Sequence, residues 1–217
     1  MTLICGIDEA GRGPVIGPLI IVGIMLKEKD LPKLEKLEVK DSKLLTPRQR
    51  EALAKKLKKF KHEILVIQPD EIDQAVKGKG GLNLNWLEAQ KTADIINELK
   101  PEKAIIDSPS PNLKAYKSYI KNYLHNKEVE LVCAHKADVK YPIVSAASII
   151  AKSIREEEVR KIEKMVGQSI GSGYPSNPVC KAFLGANWDR FPQIFRKSWA
   201  SYKRVLKQIG QKKLGEY

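Results

Sequence analysis

The chain has 217 residues, enough to bury a real core, and its 42% hydrophobic and 30% charged content marks a folded protein rather than a disordered one. Lys and Arg outnumber Asp and Glu by 39 to 26, a net charge of +13 that attracts polyanions and makes nucleic acid the leading class of partner. A generic lysine-rich surface, as in proteins of hot environments, is the bland alternative. No apolar run reaches the roughly 18–20 residues that a spanning helix needs. The longest, residues 15–26, is interrupted by Gly17, Pro18 and Gly23. The first residues carry neither a basic stretch nor a cleavage pattern, so the expectation is a cytoplasmic protein with no membrane partner.

In chain order, residues 3–8 read as a short buried strand and residues 15–26 as a second strand after a glycine-rich turn. Thr46-Pro47-Arg48-Gln49 is a capping box with proline at the first helical position, and it opens a helix to about residue 60. A strand is expected over 62–68, a short helix over 69–76 and a basic turn over 77–81. A longer helix covers 84–99, with Trp86, Ala89, Ala93 and Ile96 on its inner stripe, and Pro101 stops it. Strand 103–107, helix 113–124 and strand 129–134 follow, the alternation of parallel pairing through crossover helices. After Pro142 a long helix runs to about residue 166, then a Gly171-Ser172-Gly173 loop, then forty residues that look helical and basic. The predicted fold is α/β, a mixed central sheet flanked by helices and followed by a helical C-terminal region. The expected organisation is a catalytic domain over 1–168 and a substrate-binding region over 169–217.

Cys5, Cys133 and Cys180 are odd in number, far apart and without a C-x-x-C pair. That argues against a disulfide framework and a zinc site, and Cys5 and Cys133, in apolar strand-like segments, read as buried small hydrophobes. Three scattered histidines disfavour zinc or triad chemistry.

The acids are more informative. Asp8 closes the run Leu-Ile-Cys-Gly-Ile, Asp107 closes Ala-Ile-Ile, and Asp138 follows 131–134 by a few residues. Ligands gather outside the carboxyl ends of parallel strands. Carboxylates meeting there repel one another unless a cation sits between them, and magnesium takes a few carboxylates plus waters and phosphate oxygens. Asp8 and Glu9 are adjacent and point to opposite faces of a regular strand. Both reach one metal cluster only if the strand breaks there, which Ala10-Gly11-Arg12-Gly13-Pro14 is expected to provide. A lone strand-end Asp is usually a cap or turn residue. Three of them in a basic chain point to a metal-dependent phosphoryl-transfer enzyme, with the substrate left open.

Gly6-Ile7-Asp8-Glu9-Ala10-Gly11-Arg12-Gly13-Pro14 resembles the N-terminal signature of ribonuclease HII, the type 2 ribonuclease H, in its archaeal form. Asp41-Ser42-Lys43, Ile106-Asp107-Ser108, His135-Lys136-Ala137-Asp138 through Lys152, and Ser172-Gly173-Tyr174-Pro175-Ser176 resemble that family in its order. The resemblance implies a ribonuclease H-like fold, cleavage of the RNA strand of RNA/DNA hybrids, and incision at single ribonucleotides embedded in duplex DNA. It implies Asp8, Glu9, Asp107 and Asp138 as catalytic carboxylates holding Mg2+ or Mn2+. It also implies that Gly11, Arg12 and Gly13 sense the 2′-hydroxyl through backbone groups, and that Tyr174 stacks on the sugar of the following deoxynucleotide. The physics agrees: glycine allows close backbone approach, and the 2′-hydroxyl distinguishes RNA from DNA. Without the family, Tyr174 reads as a surface loop residue and Arg12 as a solvated charge beside a turn. Lys43, Lys136 and Lys152 are candidate phosphate contacts, though any one lysine in so basic a chain carries little weight.

Two departures stand out. Asn177 occupies a position where an acid is expected after Tyr174-Pro175-Ser176, and it receives no role. The tail Gln211-Lys212-Lys213-Leu214-Gly215-Glu216-Tyr217 resembles a peptide that binds DNA sliding clamps, through Gln211, Leu214 and Tyr217, but with one terminal aromatic rather than two. A frayed basic tail is the alternative. A monomer is expected. The competing readings are a ribonuclease HIII-like hybrid nuclease and a non-catalytic nucleic-acid-binding module. The second gives no reason for strand-end carboxylates that repel phosphate.

Overall fold

A computed structural model describes residues 2–37, 39, 45–77 and 83–214, with side chains to residue 208. Strand β1 (Leu3–Ala10) and strand β2 (Leu19–Lys27) are followed by a 3-10 turn at Glu28–Asp30 and a short helix α1 (Pro32–Glu35). Then come α2 (Pro47–Leu57), β3 (Lys61–Ile67), α3 (Pro69–Lys77), α4 (Leu84–Leu99), β4 (Lys103–Asp107), α5 (Leu113–Tyr123) and β5 (Glu130–Ala134). The chain continues through α6 (Ala137–Lys140), α7 (Pro142–Val166), α8 (Pro178–Asn187), a 3-10 turn at Pro192–Ile194 and α9 (Ala200–Leu214). The expected basic turn at 77–81 lies largely outside the described residues. Among the described residues no helix is long and apolar enough to cross a membrane.

The sheet has the order β3-β2-β1-β4-β5. β1 pairs antiparallel with β2, and β1–β4 and β4–β5 are parallel, so the front of the sheet is antiparallel and the back is built from crossovers. This is the mixed sheet the sequence predicts. The second strand starts later than its apolar run. Gly17 takes a positive φ of 83° and Pro18 has no N–H to give a ladder, so regular pairing begins at Leu19. Ile16 instead makes a single bridge to Phe195. The capping box at Thr46 forms in full: the Thr46 hydroxyl accepts from the Gln49 amide and the Gln49 side chain accepts from the Thr46 amide.

The chain divides into two compact units. The first holds residues 1–10, 20–66 and 84–155, and the second holds 11–19, 67–83 and 156–217. In the first, one face of β1 and β2 (Ile4, Ala10, Ile20, Val22, Ile24) packs with the alanine-rich half of α7. Gly6 makes that packing possible. A Cβ there would stand 2.5 Å from the backbone carbonyl of Ile143, so the helix backbone lies directly on the strand. In the second unit Val15, Ile16, Ile162, Ile170, Cys180, Phe183, Leu184 and Phe195 form a separate core. Cys5 and Cys180 are buried, Cys133 is half-buried, and all three are free thiols.

Candidate active site

β1, β4 and β5 run parallel to one another, so their carboxyl ends open on the same edge of the sheet. Asp8 stands near the end of β1, Asp107 ends β4, and Asp138 lies in α6, just past β5. One carboxylate oxygen from each comes within 4.8 Å of the others. Asp8 is 6% exposed and the other two are half-buried. Two backbone amides support the acids. The Glu9 N–H donates to Asp8 Oδ1 at 2.8 Å, and the Ala137 N–H donates to Asp107 Oδ1 at 3.0 Å. The second bond is set up by Lys136, whose left-handed backbone (φ 54°) turns the chain after β5 so that α6 starts against Asp107.

The electrostatics are those of acids crowded away from water. Burial pushes the Asp8 carboxyl up to about 7, the nearby Asp107 adds to the rise, and Ser148, the Glu9 amide and Lys152 work against it. Asp107 is raised as well, first by burial and then by Asp138, with the Ala137 amide and His135 opposing. Three oxygen donors on three elements, with no histidine or thiol among them, fit a hard divalent cation such as Mg2+ or Mn2+.

Glu9 is not part of this trio. β1 keeps its register through Asp8↔Val22, Glu9↔Ile21 and Ala10↔Ile20, so the strand breaks after both acids rather than between them. Asp8 shares the α7 face with Gly6. Glu9 faces the other side, where its charge helps raise the buried Tyr116 hydroxyl of α5. Lys152, on α7, is half-buried and close enough to favour ionised Asp8, while Lys136 is exposed. Lys43 and Tyr217 lie outside the described residues, and Gln211 and Leu214 fall in α9 beyond the described side chains.

The Gly11-Arg12-Gly13 turn belongs to the second unit, where it is held by residues that carry no signal of their own in the sequence. Arg196 is fully buried and donates from Nη2 to the Gly11 carbonyl at 2.6 Å, from Nη1 to Arg12 at 2.9 Å and from Nε to Gly17 at 2.9 Å. Trp199 lies under that guanidinium at 5.0 Å, and its ring N–H reaches the Gly13 carbonyl at 3.2 Å. Asp73 of α3 accepts from the amides of Lys197 and Ser198, fixing the segment that carries both. Because a trans peptide points its N–H opposite its C=O, holding the Gly11 and Arg12 carbonyls aims the N–H groups of Arg12 and Gly13 away from Arg196. Gly11 needs its hydrogen side chain for a φ of 86°. Tyr174 is 43% exposed, and a Cβ on Gly13 would stand 3.0 Å from its ring. The turn and the aromatic therefore form one surface element. Asn177 caps α8, its Oδ1 accepting from the Cys180 amide at 3.1 Å.

The family model for Ribonuclease HII matches residues 5–202. The chain belongs to the ribonuclease HII family. It is accordingly a ribonuclease H, a hydrolase acting on phosphodiester bonds, and both competing readings give way to that family. A ribonuclease HII of Methanocella arvoryzae is 44% identical over 218 residues, covering 99% of this chain and 96% of the relative. Among solved structures, the ribonuclease H2 of Pyrococcus horikoshii OT3 superposes with a TM-score of 0.86 at 40% identity, over 95% of this chain and 98% of that one. A ribonuclease HII of Archaeoglobus fulgidus, solved in complex with PCNA, gives 0.80 at 38% identity, over 91% and 95%.

Proposed function

We propose that this ribonuclease HII cleaves the RNA strand of RNA/DNA hybrids and incises 5′ of single ribonucleotides in duplex DNA, leaving a 3′-hydroxyl and a 5′-phosphate. The observation that carries the reading is the convergence of Asp8, Asp107 and Asp138. These three hold one divalent cation, and Glu9, the fourth acid that the family resemblance implies, comes to the site from the opposite face of β1. When bound, the metal supplies an activated water and steadies the leaving oxygen. Asp8 must give up its proton before it can serve as a ligand, and Lys152 favours that ionised form.

Substrate choice falls to the turn. The Arg12 and Gly13 amides, aimed by Arg196 and Trp199, sense the 2′-hydroxyl, and Tyr174 stacks on the sugar of the next deoxynucleotide. An aromatic ring against a deoxyribose face also excludes a bulkier ribose at that position. Lys43, Lys136 and Lys152 are assigned to phosphates, in keeping with the +13 charge.

A gel assay comparing an all-RNA hybrid with a one-ribonucleotide duplex, each in Mg2+ and in Mn2+, tests the reading. Cleavage of both is expected, with loss of the cut when the ribonucleotide is replaced by a deoxyribonucleotide. Cleavage of the all-RNA hybrid alone would remove the single-ribonucleotide activity. The relative solved with PCNA supports a sliding clamp as partner, bound by Gln211, Leu214 and Tyr217. Deleting residues 214–217 should abolish clamp pull-down, and unchanged binding would remove that assignment.

A further inference from the structure

Ser148 is an unusual serine. It sits in the interior of α7, it is fully buried, and its Oγ completes no hydrogen bond among the described residues. A mid-helix serine ordinarily bonds back to the carbonyl four residues earlier or turns to solvent. Ser148 does neither. A buried hydroxyl without a partner is destabilising, so it needs either a structural excuse or a use.

Its position supplies the use. The backbone of Ile143 and Val144 lies directly on Gly6 of β1. Two residues further along β1, on the same face, is Asp8. One helical turn beyond Val144 is Ser148, and one more turn brings Lys152. Strand and helix therefore keep step: Gly6 meets Val144, Asp8 meets Ser148, and Lys152 follows. The Ser148 hydroxyl already stands near enough to the Asp8 carboxyl to favour its ionised form, as Lys152 does, while falling short of a full hydrogen bond. Oδ1 of Asp8 is already taken by the Glu9 amide.

We infer that Ser148 is a positioning residue for the metal centre, its hydroxyl donating to the Asp8 carboxylate once a divalent cation has drawn that carboxylate into place. The inference rests on the metal-binding reading given above. The hydroxyl acts through Asp8 and is not itself a ligand. Partners behind a metal ligand fix its orientation and are typically worth about 10–100-fold in affinity or activity. Alanine in place of Ser148 fits a helix already rich in buried alanines, Ala146, Ala147 and Ala151.

The test is calorimetric titration of the full chain with Mn2+ alone at pH 8, together with Tm in EDTA at pH 5.5, where Asp8 is neutral, for wild type, Ser148→Ala, Ser148→Cys and Ser145→Ala. Ser145 is the control, because its buried hydroxyl does have a partner, the Val39 carbonyl. Ser148→Ala should bind Mn2+ about tenfold more weakly while its metal-free Tm stays level or rises. Ser148→Cys, a weaker donor of similar size, should fall between it and wild type. Ser145→Ala should lower the metal-free Tm and leave Mn2+ affinity unchanged. Equal Mn2+ affinity in wild type and Ser148→Ala would overturn the inference. So would a metal-free Tm loss in Ser148→Ala as large as that in Ser145→Ala, or failure of Ser148→Ala to fold, since the hydroxyl would then be bonded in the resting protein. Absence of Mn2+ binding by wild type would instead sink the metal reading itself.

Discussion

Arg196 and Gly11 are 185 residues apart in sequence and joined by a 2.6 Å hydrogen bond from guanidinium to carbonyl. With the bonds to Arg12 and Gly17, one buried side chain satisfies three carbonyls of a turn that carries the family's signature. The planar fork suits this task, and lysine, a compact point charge, has no such geometry. Arg196→Ala is expected to destabilise the protein by about 3 kcal/mol through the carbonyls left unpaired. Arg196→Lys should recover only part of that. Thermal unfolding measures the loss. In both variants, cleavage at a single ribonucleotide should fall further than cleavage of an all-RNA hybrid. An unchanged ratio would show that Arg196 supports the fold without shaping recognition.

Gly13→Ala probes the same element from its outer side. The new Cβ would press on the Tyr174 ring at 3.0 Å, so the ring must give by a few tenths of an ångström. Gly13 is exposed, so stability should change by less than about 1 kcal/mol. With Tyr174 in its proposed role against the sugar, the displaced ring should nevertheless lower kcat/KM on a one-ribonucleotide duplex by about tenfold, since small misplacements near the reacting group are costly. Tyr174→Ala should show the same selective defect. Steady-state kinetics on the two substrates distinguishes this from a general loss.

Much of this fold was legible in the chain, and the pattern of successes is physical. Helix α4 and strand β4 match their expected limits because Pro101 and the apolar periodicity leave no alternative. Helix α2 starts where its Thr46 capping box says it should. The convergence of Asp8, Asp107 and Asp138 was legible because charge at the end of a buried run is costly without a purpose. Arg196, Trp199 and Asp73 were not legible. Their partners are mostly backbone groups far away in sequence, and no spacing rule encodes that. Ser148 was hidden for a related reason: within an alanine-rich helix a serine reads as one more small residue. The split of Asp8 from Glu9 follows from strand pairing through Ala10, which the downstream glycines do not interrupt early enough to change.

Gly6→Ala tests the helix-on-strand contact that aligns Ser148 and Lys152 with Asp8. The added methyl would meet the Ile143 carbonyl at 2.5 Å and the Val144 nitrogen at 2.7 Å. Both are backbone atoms, so no rotamer change relieves the clash. A loss of about 3 kcal/mol is expected, at the upper end for overpacking. Denaturant unfolding should show it as a lower midpoint with an unchanged slope. A stability equal to wild type would mean that α7 slides on β1 at little cost.

Asp8 gives a pH dependence whose sign is set by its raised carboxyl. In the metal-free protein its folded value is about 7 against 3.8 for a free side chain, so the fold prefers the neutral acid. The associated stability is fully present below 3.8 and is lost as pH rises through about 7. Asp107, also raised by burial, acts in the same direction. Asp8→Asn keeps the shape and removes the charge, so it should abolish cleavage yet stabilise the metal-free protein at pH 8. At pH 4 the two proteins should melt close together. Tm measured in EDTA from pH 4 to 8 checks this, with the gap between variant and wild type expected to open as pH rises. Because metal binding requires the ionised acid, added Mn2+ should raise wild-type Tm more at pH 8 than at pH 5.5, and Asp8→Asn should lose most of that gain. A gap that stays constant across the range would mean that Asp8 ionises without cost, and that its burial plays no part in readying the site for a cation.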